Sequence, residues 1–160
     1  MRKTLLSAPK KVVLLVLMPL LCVANLAFNQ DMSEQELLGW SNKCLTQCFN
    51  ADAADKLKKW ELTLTPDAFV RLRKTYANGK QEYFSMHLRR LEDLDYWGTV
   101  AAGNMVLRAK GDDVIVQTYN DRSGNVDSMA TVFSIPVKNM EPERLDSLRN
   151  ALLYFKKKNL

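Results

Sequence analysis

Cys44 and Cys48 are the residues of this chain whose type and spacing most invite chemistry. They stand four positions apart in the stretch 33–52, SEQELLGWSNKCLTQCFNAD, which places both on one face of a helix. In an oxidising compartment such a pair is a candidate disulfide. Closing it within one turn of a regular helix needs the two side chains bent toward each other against a rigid backbone. A thioredoxin-like motif leaves two residues between its cysteines at a helix start, whereas three stand between these. Two thiolates alone do not hold zinc, and cysteine is also a frequent small core residue. Simple burial is the expectation, with a bridge within or between chains as the alternative.

Other chemistry is sparse. The chain has one histidine, His87, and no Ser, Cys or acid stands where spacing alone would set it beside that ring as a triad partner. Asp121, Ser123, Asn125 and Asp127 alternate like calcium ligands, but Gly124 falls too early for an EF-type loop and no bidentate Glu closes it. A turn of self-bonding Asp and Asn side chains fits better. Glu92, Asp93 and Asp95 read as a solvated turn. The chain has no Gly-rich phosphate loop, nucleophile elbow or paired-His metal motif. Acid–base candidates are weak ones such as Tyr83 or His87. The expectation is a protein that is not an enzyme and takes no cofactor.

The net charge of +5 over 160 residues sits at the ends of the chain. Arg2, Lys3, Lys10 and Lys11 precede an apolar run, and Lys156, Lys157 and Lys158 lie near the C-terminus. Between them acids and bases nearly cancel, which argues against a nucleic-acid-binding face. Val12–Phe28 reads VVLLVLMPLLCVANLAF. A basic flank before such a run marks an export signal or a membrane anchor, with the flank kept in the cytoplasm. Cleavage after Ala24 would free the remainder, and retention would tether it to a bacterial inner membrane. Residues 1–28 are thus a signal or signal anchor, and 29–160 a single periplasmic domain.

Within that domain Ser33 and Glu36 form a capping box. Leu37, Leu38, Ser41, Cys44, Leu45, Cys48 and Phe49 make a helical stripe. Residues 60–64 look extended. Thr65-Pro66-Asp67 has the makings of a helix start, with Ala68, Phe69, Leu72 and Tyr76 as its buried face and Asn78-Gly79 as its stop. Residues 80–94 also suit a helix, on the abundance of Leu, Met, Glu, Gln, Lys and Arg and the absence of β-branched residues. Strands follow at 96–109, bent near Ala101-Ala102-Gly103, at 114–119 and at 129–137. Glu141-Pro142-Glu143 opens a last helix carrying Leu145, Leu148, Leu152 and Phe155 on one face. The fold class is α+β: helices of 33–92 covering a curved antiparallel sheet of 96–137, with a C-terminal helix. Trp40, Phe49, Phe69, Leu72, Tyr76, Ile115 and Phe133 should be core.

Trp40-Ser41, Cys48-Phe49-Asn50-Ala51-Asp52 and Leu64-Thr65-Pro66-Asp67-Ala68-Phe69 together resemble the DotI/IcmL/TraM group of type IV secretion inner-membrane proteins. That resemblance implies a short cytoplasmic tail, one membrane helix and a periplasmic domain of nuclear-transport-factor-like shape, a cone whose pocket lies between helices and sheet. It implies a non-catalytic scaffold whose partners are other membrane or periplasmic proteins or further copies of itself. The stripe Leu145, Leu148, Leu152 and Phe155 either packs on the sheet of its own domain or seats in a groove of such a partner. A freely exported ligand-binding module and a small isomerase-like enzyme are the competing functions.

Overall fold

A computed structural model describes residues 32–53 and 57–158. Glu34–Leu160 is a compact unit and carries the fold. The apolar run 12–28 and its cleavage site lie outside the described residues. Among the described residues no helix is long and apolar enough to cross a membrane.

Helix α1 spans Glu34–Cys48, with Ser41, Cys44, Leu45 and Cys48 buried. The Ser41 hydroxyl is satisfied inside the core by donating to the Leu37 carbonyl at 2.7 Å. The helix ends where Phe49 leaves it to form a β-bridge with Val137, and Asn50 N–H donates to the Pro136 carbonyl at 2.9 Å. Strands β1 (Leu57–Leu64), β2 (Phe69–Tyr76) and β3 (Gln81–His87) form a meander. A short 3₁₀ turn at Leu88–Arg90 leads into β4 (Leu91–Gly98), which turns back as β5 (Ala102–Ala109). Then come β6 (Val114–Tyr119), β7 (Asp127–Ala130), β8 (Val132–Lys138) and helix α2 (Pro142–Lys158). All strand pairs are antiparallel, in a five-stranded sheet ordered β1-β2-β3-β6-β7 and a three-stranded sheet ordered β4-β5-β8.

The α+β class, the antiparallel pairing and the C-terminal helix agree with the sequence. The helices expected over 65–78 and 80–94 do not form; both segments are strands. Thr65-Pro66-Asp67 builds a hairpin turn instead. Ala68 N–H donates to the Thr65 carbonyl at 2.9 Å, Phe69 N–H donates to Thr65 Oγ1 at 3.0 Å, and Ala68 takes a φ of 57°. Proline after a hydroxyl residue suits position i+1 of a type I turn as well as a helix start, and a left-handed residue then closes a three-residue hairpin loop. Asn78-Gly79 completes a second such turn, with Gly79 at a φ of 88° and Tyr76 N–H donating to the Lys80 carbonyl at 2.9 Å.

Residues 96–109 are not one bent strand but the β4–β5 hairpin, reversing at Thr99–Ala101. Here Gly98, at a φ of 139°, lies opposite Gly103. A Cβ on Gly98 would come within 2.5 Å of Gly103 Cα, so the two strands close only on paired glycines. Residues 129–137 divide at Thr131: β7 pairs with β6 in one sheet and β8 with β5 in the other. The two sheets meet through their inner faces, where Phe84 and Phe133 stack with ring centroids 5.8 Å apart. Of the expected core residues, Phe49, Leu72 and Phe133 are buried. Trp40 and Tyr76 are half-buried, while Phe69 and Ile115 lie half-buried on the outward face of the five-stranded sheet.

Candidate functional site

Period-two alternation builds the first candidate. In β2 (FVRLRKTY), Val70 and Leu72 are fully buried, so Phe69, Arg71 and Arg73 must project from the opposite face. The register extends that face across the sheet. Glu61, Arg73, Tyr83, Gln117 and Asp127 stand in one row, and Thr63, Arg71, Ser85, Ile115 and Met129 in the next. The Arg71 guanidinium lies 4.9 Å from the centre of the Phe69 ring, and that of Arg73 lies 5.7 Å from the centre of Tyr83. Arg71 also approaches Asp67 at 3.9 Å. Tyr119 OH donates to Gln117 Oε1 at 3.0 Å, and Gln117 Nε2 donates to Asp127 Oδ1 at 3.2 Å.

Two clefts open on this face and share Arg73 and Tyr83. One, of about 470 Å³, is bounded by Thr46 of α1, by Thr63 and by Arg71. The other, of about 610 Å³, is bounded by Gln81, Gln117, Tyr119 and Asn120. Helix α1 borders the sheet beyond β1, where the Asn42 side chain acts as a surrogate strand. Its Nδ2 donates to the Leu64 carbonyl at 2.8 Å and its Oδ1 accepts from Leu64 N–H at 2.7 Å. This closes part of an edge that would otherwise be open to pairing. Stacked, pre-oriented arginines beside tyrosines form a surface suited to carboxylates and to flat or extended partners.

His87 lies at the end of the same face, its ring 4.6 Å from that of Phe69 in an edge contact. Its Nδ1 accepts from Arg89 N–H at 3.1 Å and so caps the 3₁₀ turn. Burial, then the charge of Arg89, holds its pKa below the ordinary histidine value. The nearby Asp113 pairs with Arg90 at 2.8 Å. The ring is thus engaged in capping, and Asp113 in an ion pair. Asp121 to Asn125 forms the self-bonded loop expected of it. Ser123 N–H donates to Asp121 Oδ1 at 2.9 Å, Asp121 N–H donates to Asn125 Oδ1 at 3.1 Å, and Asp121 also pairs with Lys80 at 2.9 Å.

The second candidate is the cysteine pair. Cys44 and Cys48 are free and buried, and Cys48 is the last residue of α1. Arg144, from the first turns of α2, donates from Nη1 to Cys48 Sγ at 3.4 Å. The Cys44 thiol hydrogen-bonds to Cys48, which pushes the Cys44 pKa strongly up, reinforced by burial. The same bond, opposed by burial and helped by Arg144, brings Cys48 down to about 6. A helix C-terminus disfavours a thiolate, and the guanidinium offsets that field. Trp40, Lys43, Cys44, Gln47 and Arg144 line a pocket of about 200 Å³ leading to the pair.

Leu148, Leu152 and Phe155 are buried in the domain core and Leu145 is half-buried against it. Lys158 pairs with Glu34, tying the end of α2 to the start of α1. Sequence reasoning missed Arg71, Arg73, Tyr119 and Arg144. The alternation Phe69-Val70-Arg71-Leu72-Arg73 carried the signal for two of them, and none was available for Arg144. No protein-family model, curated protein or solved structure matches this chain.

Proposed function

We propose that this protein is an inner-membrane-tethered periplasmic binding module, a non-catalytic scaffold of a secretion or conjugation complex of the DotI/IcmL/TraM kind. The observation that carries the binding role is the outward face of the five-stranded sheet, where Arg71 and Arg73 stack on Phe69 and Tyr83 beside two open clefts. Tyrosine and arginine are the residues that most often dominate binding energy at protein interfaces. The partner is another envelope protein presenting acidic side chains, or a further copy of this chain. The tether and its direction rest on the basic flank ahead of residues 12–28. The likeness to a nuclear-transport-factor cone rests on helices and antiparallel sheets sharing one hydrophobic core.

A second reading is favoured by the size of the clefts. At about 470 and 610 Å³ they fall within the range of small-molecule sites. Release after Ala24 would leave a free module binding an anionic ligand at Arg73 and Tyr83.

Changing Arg73 to Glu and Tyr83 to Ala together tests the scaffold reading. The variant should keep the fold and the membrane fraction and lose its co-purifying envelope proteins. Retention of every partner by the folded variant refutes it. A mature N-terminus at Asn25 supports the free module instead.

A further inference from the structure

We propose that Cys44 and Cys48 form a two-coordinate site for a soft monovalent d¹⁰ cation, cuprous copper, with Arg144 as its counter-charge. The inference is independent of the scaffold reading and rests on spacing, charge and access.

Spacing comes first. Side chains one helical turn apart have Cβ atoms about 5–6 Å from each other. A disulfide needs Cβ atoms about 3.5–4.5 Å apart, so the pair closes poorly on itself. A bridging ion fits that separation, because two metal–thiolate bonds of about 2.3 Å each place the sulfurs up to about 4.6 Å apart. Soft thiolates select cuprous copper over the harder divalent ions.

Charge and ligand number distinguish copper from zinc. Two thiolates with Cu(I) carry one net negative charge, and the guanidinium of Arg144, 3.4 Å from Cys48 Sγ, neutralises it. Zinc with the same two thiolates is neutral and presents no net negative charge to the guanidinium, and it demands two further protein ligands in a closed structural site. Among the described residues no group of three or more His, Cys, Asp or Glu is placed to supply them. The pocket lined by Trp40, Lys43, Cys44, Gln47 and Arg144 gives the ion a route to Cys44. The pair itself is 5% and 0% exposed, which would shield a bound ion from water. Binding exchanges thiol protons for the cation: both sulfurs ligate as thiolates, the protons pass to solvent, and no electron moves.

The test is an anaerobic titration of the reduced full-length chain in detergent with Cu(I), against the chromogenic chelator bicinchoninate. One copper per chain is expected. X-ray absorption on the wild-type protein should show two sulfur ligands and no nitrogen. Cys44→Ser and Cys48→Ser should each weaken binding at least about a hundredfold, and Arg144→Gln about tenfold with the stoichiometry kept, in line with losses at ligating and outer-shell positions. Cys22→Ser should bind as the parent does. No copper uptake overturns the site, as does binding that persists in the Cys44→Ser/Cys48→Ser double variant. Three or four ligands in the absorption spectrum, or zinc competing on equal terms, overturns it too. Should a serine variant fail to fold, the wild-type spectrum and the zinc competition decide.

Discussion

Replacing Gly98 by alanine probes the β4–β5 hairpin more sharply than any other single change. Gly98 has a φ of 139°, a backbone conformation close to glycine's own territory. Its added Cβ would lie 2.5 Å from Gly103 Cα and 2.6 Å from the Ala102 carbonyl oxygen. Both are backbone atoms of the facing strand, so relief means prising the hairpin open. A residue held in a sparsely populated backbone region costs about 1–3 kcal/mol, and overpacking adds about 1–3 kcal/mol. The expected loss is about 2–6 kcal/mol. Gly79→Ala is the control: its φ is 88°, but a Cβ there meets nothing within 4 Å. It should cost only about 1–2 kcal/mol of backbone strain. Urea unfolding followed by far-ultraviolet circular dichroism, with an unchanged m value, gives both differences. A Gly98→Ala protein no less stable than Gly79→Ala would mean that the chain does not reverse at residues 99–101.

Other consequences are as direct. Leu148→Ala and Leu152→Ala empty fully buried positions and should each cost about 2–5 kcal/mol, read from the urea midpoint; an unchanged midpoint would place this face outside the core. For Glu82, burial raises the carboxyl pKa, but hydrogen bonds from Tyr76 and Lys80 and the charge of Lys74 outweigh it, leaving it below the ordinary carboxylate value. Its contribution is therefore present above the unfolded carboxylate pKa and lost as pH falls through the lower folded value. Stability measured from pH 7 down to pH 3 should fall less steeply in Glu82→Gln than in the parent, and equal slopes would contradict the pairing. A periplasm-active reporter fused after Leu160 should be active in a stably expressed fusion, and its silence would reject export.

Where periodicity and partners agreed, the sequence was legible. Helix α1 carries a stripe through Ser41, Cys44, Leu45 and Cys48, and α2 one through Leu148, Leu152 and Phe155, and both helices formed. Strands β2 and β3 were hidden for two physical reasons. Thr65-Pro66-Asp67 offers the same chemistry to a type I turn as to a helix start. The inward face of these strands also carries charge toward one end: Lys74 and Glu82 stand on the face of Leu72 and Phe84, and pair at 3.7 Å. Polar residues on a core-facing side blur the alternation that marks a strand, and neighbouring strands then override helix propensity. The cysteines could be seen in the sequence, but their meaning depends on Arg144, which lies 96 residues away and arrives only when α2 packs against α1. The arginine–tyrosine face likewise exists only once the register sets Arg73 beside Tyr83.

The central claim, that the outward face of the five-stranded sheet binds an envelope protein, is tested most directly by site-specific photocrosslinking in living cells. A photoreactive phenylalanine analogue would replace Tyr83 on that face and, as control, Tyr154, which is 44% exposed on α2. The account predicts a discrete cross-linked protein species from position 83, in the membrane fraction, and none from position 154. A folded, membrane-associated protein that yields no adduct at position 83, or the same adducts from both positions, would contradict it.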